Sequence, residues 1–329
     1  MTTSHASSAA ASRSGADREA IGDGPNPLGV LGIEFIEYAT SKPQALGNVL
    51  ETMGFKPVAR HRSREILLYR QGALNIIVNA HGDGAVLSER PVIAAIALRV
   101  RDAAAAYRHA LQRGAWAVPV QVEVMELNIP AIHGVGTSRI YFVDRHGDFS
   151  IYDVDFTPIP TVNQHPPATA GLHLFGVVQY IGNDRSDDWT EFYGALFGFT
   201  ELGADVRFGI LPKGRILQSP CQTFYLQLIE PEPGLLDVED DECLQRIGLG
   251  TPDVPAAVAA LRQLGVEFVP VKDSQLTTRG ALARTAIGGA MFELVHHVDV
   301  APTLPAARGS LPPEGAPSAL GRPGGVSGA

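Results

Sequence analysis

Four times along the chain, a short strand of apolar or alternating residues gives way to an amphipathic helix and then to further strands. The first unit opens with the alternating run 32–38. A helix follows over 43–54, with Leu46, Val49, Leu50 and Met53 on one face at the spacing of a buried stripe. Strands are predicted at 56–61, 65–70 and 74–79. The second unit covers 91–156, and its helix over 102–113 is capped by Asp102 and stopped by Gly114. Units three and four cover 172–230 and 242–300. They are joined by Pro231-Glu232-Pro233-Gly234 and an acidic run over 237–242. A proline-rich stretch, 157–170, separates the halves.

Laid over each other, the halves correspond. Residues 32–38 run into a helix ending at Gly54-Phe55, as 174–180 run into one ending at Gly198-Phe199, which matches Glu34 with Gly176. Ala95-Ile96-Ala97-Leu98 before Asp102 matches Arg246-Ile247-Gly248-Leu249 before Asp253, so Ala95 corresponds to Arg246. A closing strand over 149–156, alternating around Asp153, matches 291–298 around Glu293. Duplicated segments of this length imply duplicated supersecondary units. The expected architecture is α+β, with four βαβββ modules paired into two half-open barrel domains. The expected bounds are a disordered leader at 1–26, an N-terminal domain at 27–160, a linker at 161–171, a C-terminal domain at 172–300 and a disordered tail at 301–329.

Composition narrows the partners. With 329 residues and a formal net charge of -9, the chain lacks the clustered Lys and Arg that phosphate backbones or anionic membranes require. A small-molecule substrate is expected, with no nucleic acid and no membrane; a homo-oligomer is compatible with the sequence. No apolar run approaches the roughly 20 residues of a transmembrane helix. The leader has no apolar core of a secretory signal. Cys221 and Cys243 are the only cysteines, which fits a reducing cytoplasm and packed thiols.

Several motifs carry a family resemblance: Gly32-Ile33-Glu34-Phe35-Ile36-Glu37-Tyr38, Arg62-Ser63-Arg64 leading to Leu68-Tyr69-Arg70-Gln71-Gly72, Ile140-Tyr141-Phe142-Val143-Asp144-Arg145, and Ser150-Ile151-Tyr152-Asp153-Val154-Asp155-Phe156. Together they resemble the N-terminal domain of 4-hydroxyphenylpyruvate dioxygenases, members of the vicinal oxygen chelate superfamily. The resemblance implies Fe(II) in the C-terminal domain, held by two His and one Glu, with open positions for a 2-oxo acid and dioxygen. It places the first His at Gly176, counted back from Trp189-Thr190-Glu191-Phe192-Tyr193, and the second at Arg246 in Gln245-Arg246-Ile247-Gly248-Leu249. The Glu is retained as Glu293.

Glycine offers no ligand atom, and a guanidinium has no lone pair to donate. No cofactor is therefore expected, with Fe(II) reserved for the case in which the ancestral activity is kept. His173 would enter only by a register shift, and strand alternation puts it on the face opposite Gly176. Arg246 and Glu293 are expected to face each other, either as a buried salt bridge or with Arg246 receiving a substrate carboxylate. If the chain is catalytic, Arg246, Glu293, Tyr180 and His297 are the candidates, with Arg246, Gln227 and Gln218 for substrate binding. Ile229 stands where the family has a substrate amide. Changing Gly176 and Arg246 to His would be expected to rebuild the triad with Glu293. Glu34, Ala95 and Asp153 form an N-terminal pseudo-site, read as structural or as an acid/base pair. The expected function is that of a divergent dioxygenase-like protein for a small anionic aromatic ligand; an active iron dioxygenase and a non-catalytic binding or scaffold protein are the alternatives.

Overall fold

The computed structural model describes residues 21–22, 24–82, 86–119, 127–210, 214–231, 242–270 and 276–298. The expected leader up to residue 20, the acidic connection 232–241 and the tail from 299 lie outside the described residues. The first half runs β1 (Val30–Ala39), α1 (Pro43–Thr52), β2 (Lys56–His61), β3 (Ile66–Gln71), β4 (Leu74–Asn79), β5 (Val92–Val100), α2 (Ala103–Gln112), β6 (Ala131–His133), β7 (Arg139–Val143), α3 (Ile151–Asp155) and β8 (Phe156–Pro158). The second runs β9 (His173–Tyr180), α4 (Ser186–Phe197), β10 (Thr200–Glu201), β11 (Arg215–Gln218), β12 (Tyr225–Ile229), β13 (Cys243–Thr251), α5 (Val254–Gln263), β14 (Glu267–Phe268), α6 (Leu276–Arg279), β15 (Gly280–Arg284) and β16 (Phe292–His296).

Each half builds one eight-stranded sheet, ordered β6-β7-β5-β1-β4-β3-β2-β8 and β10-β11-β12-β9-β13-β16-β15-β14. Two modules meet in each sheet at an antiparallel pair of opening strands, β1 with β5 and β9 with β13. The helices start where the sequence places them. Asp102 accepts from the Ala105 N–H at 2.8 Å and Asp253 from the Ala256 N–H at 2.9 Å, each satisfying a donor that the first helical turn leaves open.

The second module departs from the expected repeat. Residues 151–155 are helix rather than strand, because Ser150 and Asp153 form a capping box, with Ser150 N–H and Oγ donating to Asp153 Oδ2 at 2.7 and 2.8 Å. A capping box satisfies donors that the first turn of a helix leaves open, which favours a helical turn at this position. The strand parallel to β5 is β7 instead, and β8 leaves the module to pair with β2.

The core is continuous across the halves. Leu46 and Leu50 of α1, Leu196 and Phe197 of α4, and Leu261 of α5 belong to one buried cluster. A second cluster, including Phe35, Val58, Leu68, Ala97, Ile151 and Phe156, belongs to the first half alone.

Candidate functional site

In the second sheet, β13 lies between β9 and β16. Gly248 is opposite both Gly176 and Glu293, and Arg246 is opposite Val178. This register brings Arg246 and Glu293 together. Arg246 Nη1 lies 3.6 Å from Glu293 Oε2, with side chains 9% and 1% exposed. Arg246 Nη2 donates to Tyr180 Oη at 3.5 Å, a long contact, while the buried Arg246 Nε has no hydrogen-bond partner. Glu293 Oε1 accepts the Ile210 backbone N–H at 2.8 Å.

That last bond belongs to a plug that the sequence did not disclose. The segment after β10 folds over Glu293, with Gly209 at φ 57°. A Cβ on Gly209 would collide with Glu293 Oε1, so only glycine allows this approach. The Phe208 ring packs 4.9 Å from Phe175 and 5.0 Å from Tyr225, and Phe175 stacks on Tyr225 at 4.9 Å. The cavity left beside Gly176, Gln227, Gly248 and Glu293 measures about 20 Å³, room for about one water molecule. Gln227 reaches its wall. Gln218 instead donates to Tyr225 Oη at 3.4 Å.

His297 lies just past β16 and does not join this group. Its Nδ1 is 2.9 Å from His173 Nε2, and its ring meets Phe175 edge-on at 5.3 Å. Strand alternation fails to keep His173 on the opposite face, because the register slips between Gly248 and Leu249 and gives β9 an extra residue at Phe175. His173 Nδ1 lies 3.1 Å from the Gly171 carbonyl, to which it must donate. In a neutral His173, Nε2 therefore accepts from His297 Nδ1–H.

The first half corrects the pseudo-site. Phe35, rather than Glu34, lies opposite Ala97, since a bulge between Ile33 and Phe35 leaves Glu34 out of register. Ala97 pairs with Tyr141 as Gly248 pairs with Glu293, so the counterpart of Glu293 is Tyr141 and not Asp153. Glu34 is buried against Arg99 Nε at 2.8 Å. Asp153 is exposed, its carboxyl held below the usual range by the hydrogen bonds from Ser150. Burial first, and the Glu34 carboxylate second, push the Tyr152 phenol well above its ordinary value. Instead of a carboxylate pair, this half holds a cavity of about 310 Å³ whose lining includes Glu37, His61, Arg64, Asn79, Arg139 and Tyr141.

The chain as a whole is similar to known proteins. A family model described as hydroxyphenylpyruvate dioxygenase, N-terminal, matches residues 25–157. Hemolysin VllY of Vibrio vulnificus is 35% identical over 77% of this chain and 75% of its own length. The 4-hydroxyphenylpyruvate dioxygenase of Pseudomonas aeruginosa is 32% identical over 76% of this chain and 74% of its own. This chain belongs to the 4-hydroxyphenylpyruvate dioxygenase family. Among solved structures, a fusion of a xylose isomerase-like TIM barrel with 4-hydroxyphenylpyruvate dioxygenase aligns with a TM-score of 0.62 at 25% identity, over 81% of this chain and 49% of that one. The α+β vicinal oxygen chelate fold, with two barrel-like halves, follows.

The second half of this dioxygenase-family chain does not fit the iron triad that the resemblance implies. Arg246 has no lone pair for a metal, and Glu293 is engaged by Arg246 and by the Ile210 N–H. Among the described residues, no group of three His, Cys, Asp or Glu side chains is placed to hold a metal ion. The expected rebuilding of the triad by His at 176 and 246 meets an obstacle, because a Cβ on Gly176 would run into the Tyr225 carbonyl oxygen unless the neighbouring strand shifts. Among the described residues, no helix is long and apolar enough to cross a membrane.

Proposed function

We propose that this chain is a member of the 4-hydroxyphenylpyruvate dioxygenase family that recognises a small anionic aromatic ligand, of the 2-oxo acid kind, without iron chemistry in its C-terminal half. The observation that carries the absence of iron chemistry is the buried Arg246–Glu293 pair at the convergence of β9, β13 and β16, closed over by the Gly209–Ile210 backbone. An ion pair there ties β13 to β16, where the family's metal would otherwise tie the same strands. The aromatic 2-oxo acid is suggested by the name of the Pseudomonas aeruginosa relative. A space of about 20 Å³ is too small to admit such a molecule beside Arg246, Glu293 and Tyr180, which argues against both binding and catalysis at that point.

The test is metal analysis of the protein after anaerobic incubation with Fe(II) and desalting, followed by oxygen uptake with 4-hydroxyphenylpyruvate. The expected result is iron well below one per chain and no substrate-dependent oxygen uptake. Iron near one per chain together with turnover to homogentisate would overturn the reading in favour of an active dioxygenase with rebuilt ligands.

A further inference from the structure

The C-terminal half is plugged, whereas among the described residues no segment plugs the N-terminal half, and the difference begins on matching strands. Where β13 carries Arg246, β5 carries Ala95, which lies between Glu37 of β1 and Arg139 of β7 in one row across the sheet. In the next row, Ala97 separates Phe35 from Tyr141, and the two rings meet across it with centroids 6.0 Å apart. Two alanines on the central strand thus let long side chains from both flanking strands occupy the concave face without filling it. The hairpin from β2 to β3 contributes His61 and Arg64 to the lining, whereas the corresponding segment of the second half supplies the plug.

The cavity that results, about 310 Å³, falls within the range of small-molecule sites. Its lining carries charged and aromatic side chains. Glu37 is a buried carboxylate, 9% exposed and held by the Asn79 Nδ2–H at 2.8 Å. Arg64 and Arg139 are half-buried and exposed guanidinium groups, suited to an incoming carboxylate. Phe35 and Tyr141, in the row next to Glu37 and Arg139, and Phe156 add aromatic rings to the lining.

We infer that this N-terminal cavity is the ligand site, taking an aryl carboxylate whose acid group meets Arg139 and Arg64 and whose ring bears a hydrogen-bond donor for Glu37. The inference rests on the proposed reading that the chain recognises a small anionic aromatic molecule, and it supplies the location. No bond is made or broken.

The test is calorimetric titration of the full chain with 4-hydroxyphenylacetate, with phenylacetate lacking the donor, and with 4-hydroxyphenethyl alcohol lacking the acid. Each is repeated on Arg139→Met, Glu37→Gln and Ile77→Trp, the last of which fills the cavity without touching a charge. Near-UV circular dichroism confirms the fold of each variant. The expected result is saturable binding of 4-hydroxyphenylacetate, weakened roughly tenfold or more by Arg139→Met and by Glu37→Gln, the size of one lost charged hydrogen bond. Phenylacetate should bind more weakly to the wild type and be insensitive to Glu37→Gln. Because Arg139 is exposed, its variant keeps the test decisive if the buried substitutions fail to fold. Binding that Arg139→Met and Ile77→Trp leave unchanged would overturn the location while leaving the proposed reading intact. Failure of the wild type to bind any of the three compounds would overturn the reading itself.

Discussion

Replacing Arg246 with Met removes one charge of a pair that is almost entirely out of water and leaves the other in place. At 3.6 Å, an effective dielectric of about 20 gives an attraction of roughly 4–5 kcal/mol, much of which offsets the desolvation of both groups. The variant loses the attraction but keeps the desolvation of Glu293, whose side chain is 1% exposed. Met matches the length of the Arg stem, so cavity effects stay small. The expected destabilisation is about 3–5 kcal/mol. It should be read from urea unfolding followed by tryptophan fluorescence, with Trp189 packed in the same half. Adding Glu293→Gln to Arg246→Met removes the stranded charge, while the Gln oxygen can still accept the Ile210 N–H. That double variant should therefore recover most of the loss. Arg246→Met within about 0.5 kcal/mol of wild type, or a double variant no more stable than the single one, would refute the claim that the pair ties these strands.

Gly209→Ala should destabilise the chain by about 2–5 kcal/mol. It forces a left-handed backbone on alanine and pushes Glu293 off the Ile210 N–H, which differential scanning calorimetry would record. Glu230 offers a pH test. Its carboxyl is held below its ordinary 4.5, first by the Ser186 hydroxyl and further by backbone N–H groups at the start of α4. A depressed folded value stabilises the native state above about 4.5, and this contribution is lost as pH falls through the folded value. Glu230→Gln should therefore lower Tm near neutral pH and match wild type at strongly acid pH; a difference that persists unchanged down the acid limb would contradict the assignment.

How far the sequence reached depended on whether an interaction was local. The stripe on α1, the caps Asp102 and Asp253, and the fourfold order of strand and helix arise from contacts within a few residues, so their signatures are written side by side. Arg246 and Glu293 were also legible as facing residues, because matched strands carry matched positions into the same place. Even within one segment, competing local signals misled. The alternation around Asp153 suggested a strand, but the Ser150 capping box closed a helical turn.

What only the tertiary structure decided lies at bulges and close approaches. One extra residue at Phe175 turned His173 toward His297, and one at Glu34 moved the repeat's register, since strand faces alternate and a single insertion reverses them. The Gly209 plug depends on a backbone meeting a carboxylate 84 positions away, with Ile210 supplying the N–H to Glu293. Nothing in its own neighbourhood signals that contact. The open N-terminal cavity depends in the same way on what Ala95 and Ala97 leave unfilled between distant strands. A sequence records the side chains that line a space; only the packed sheets set whether the space stays open.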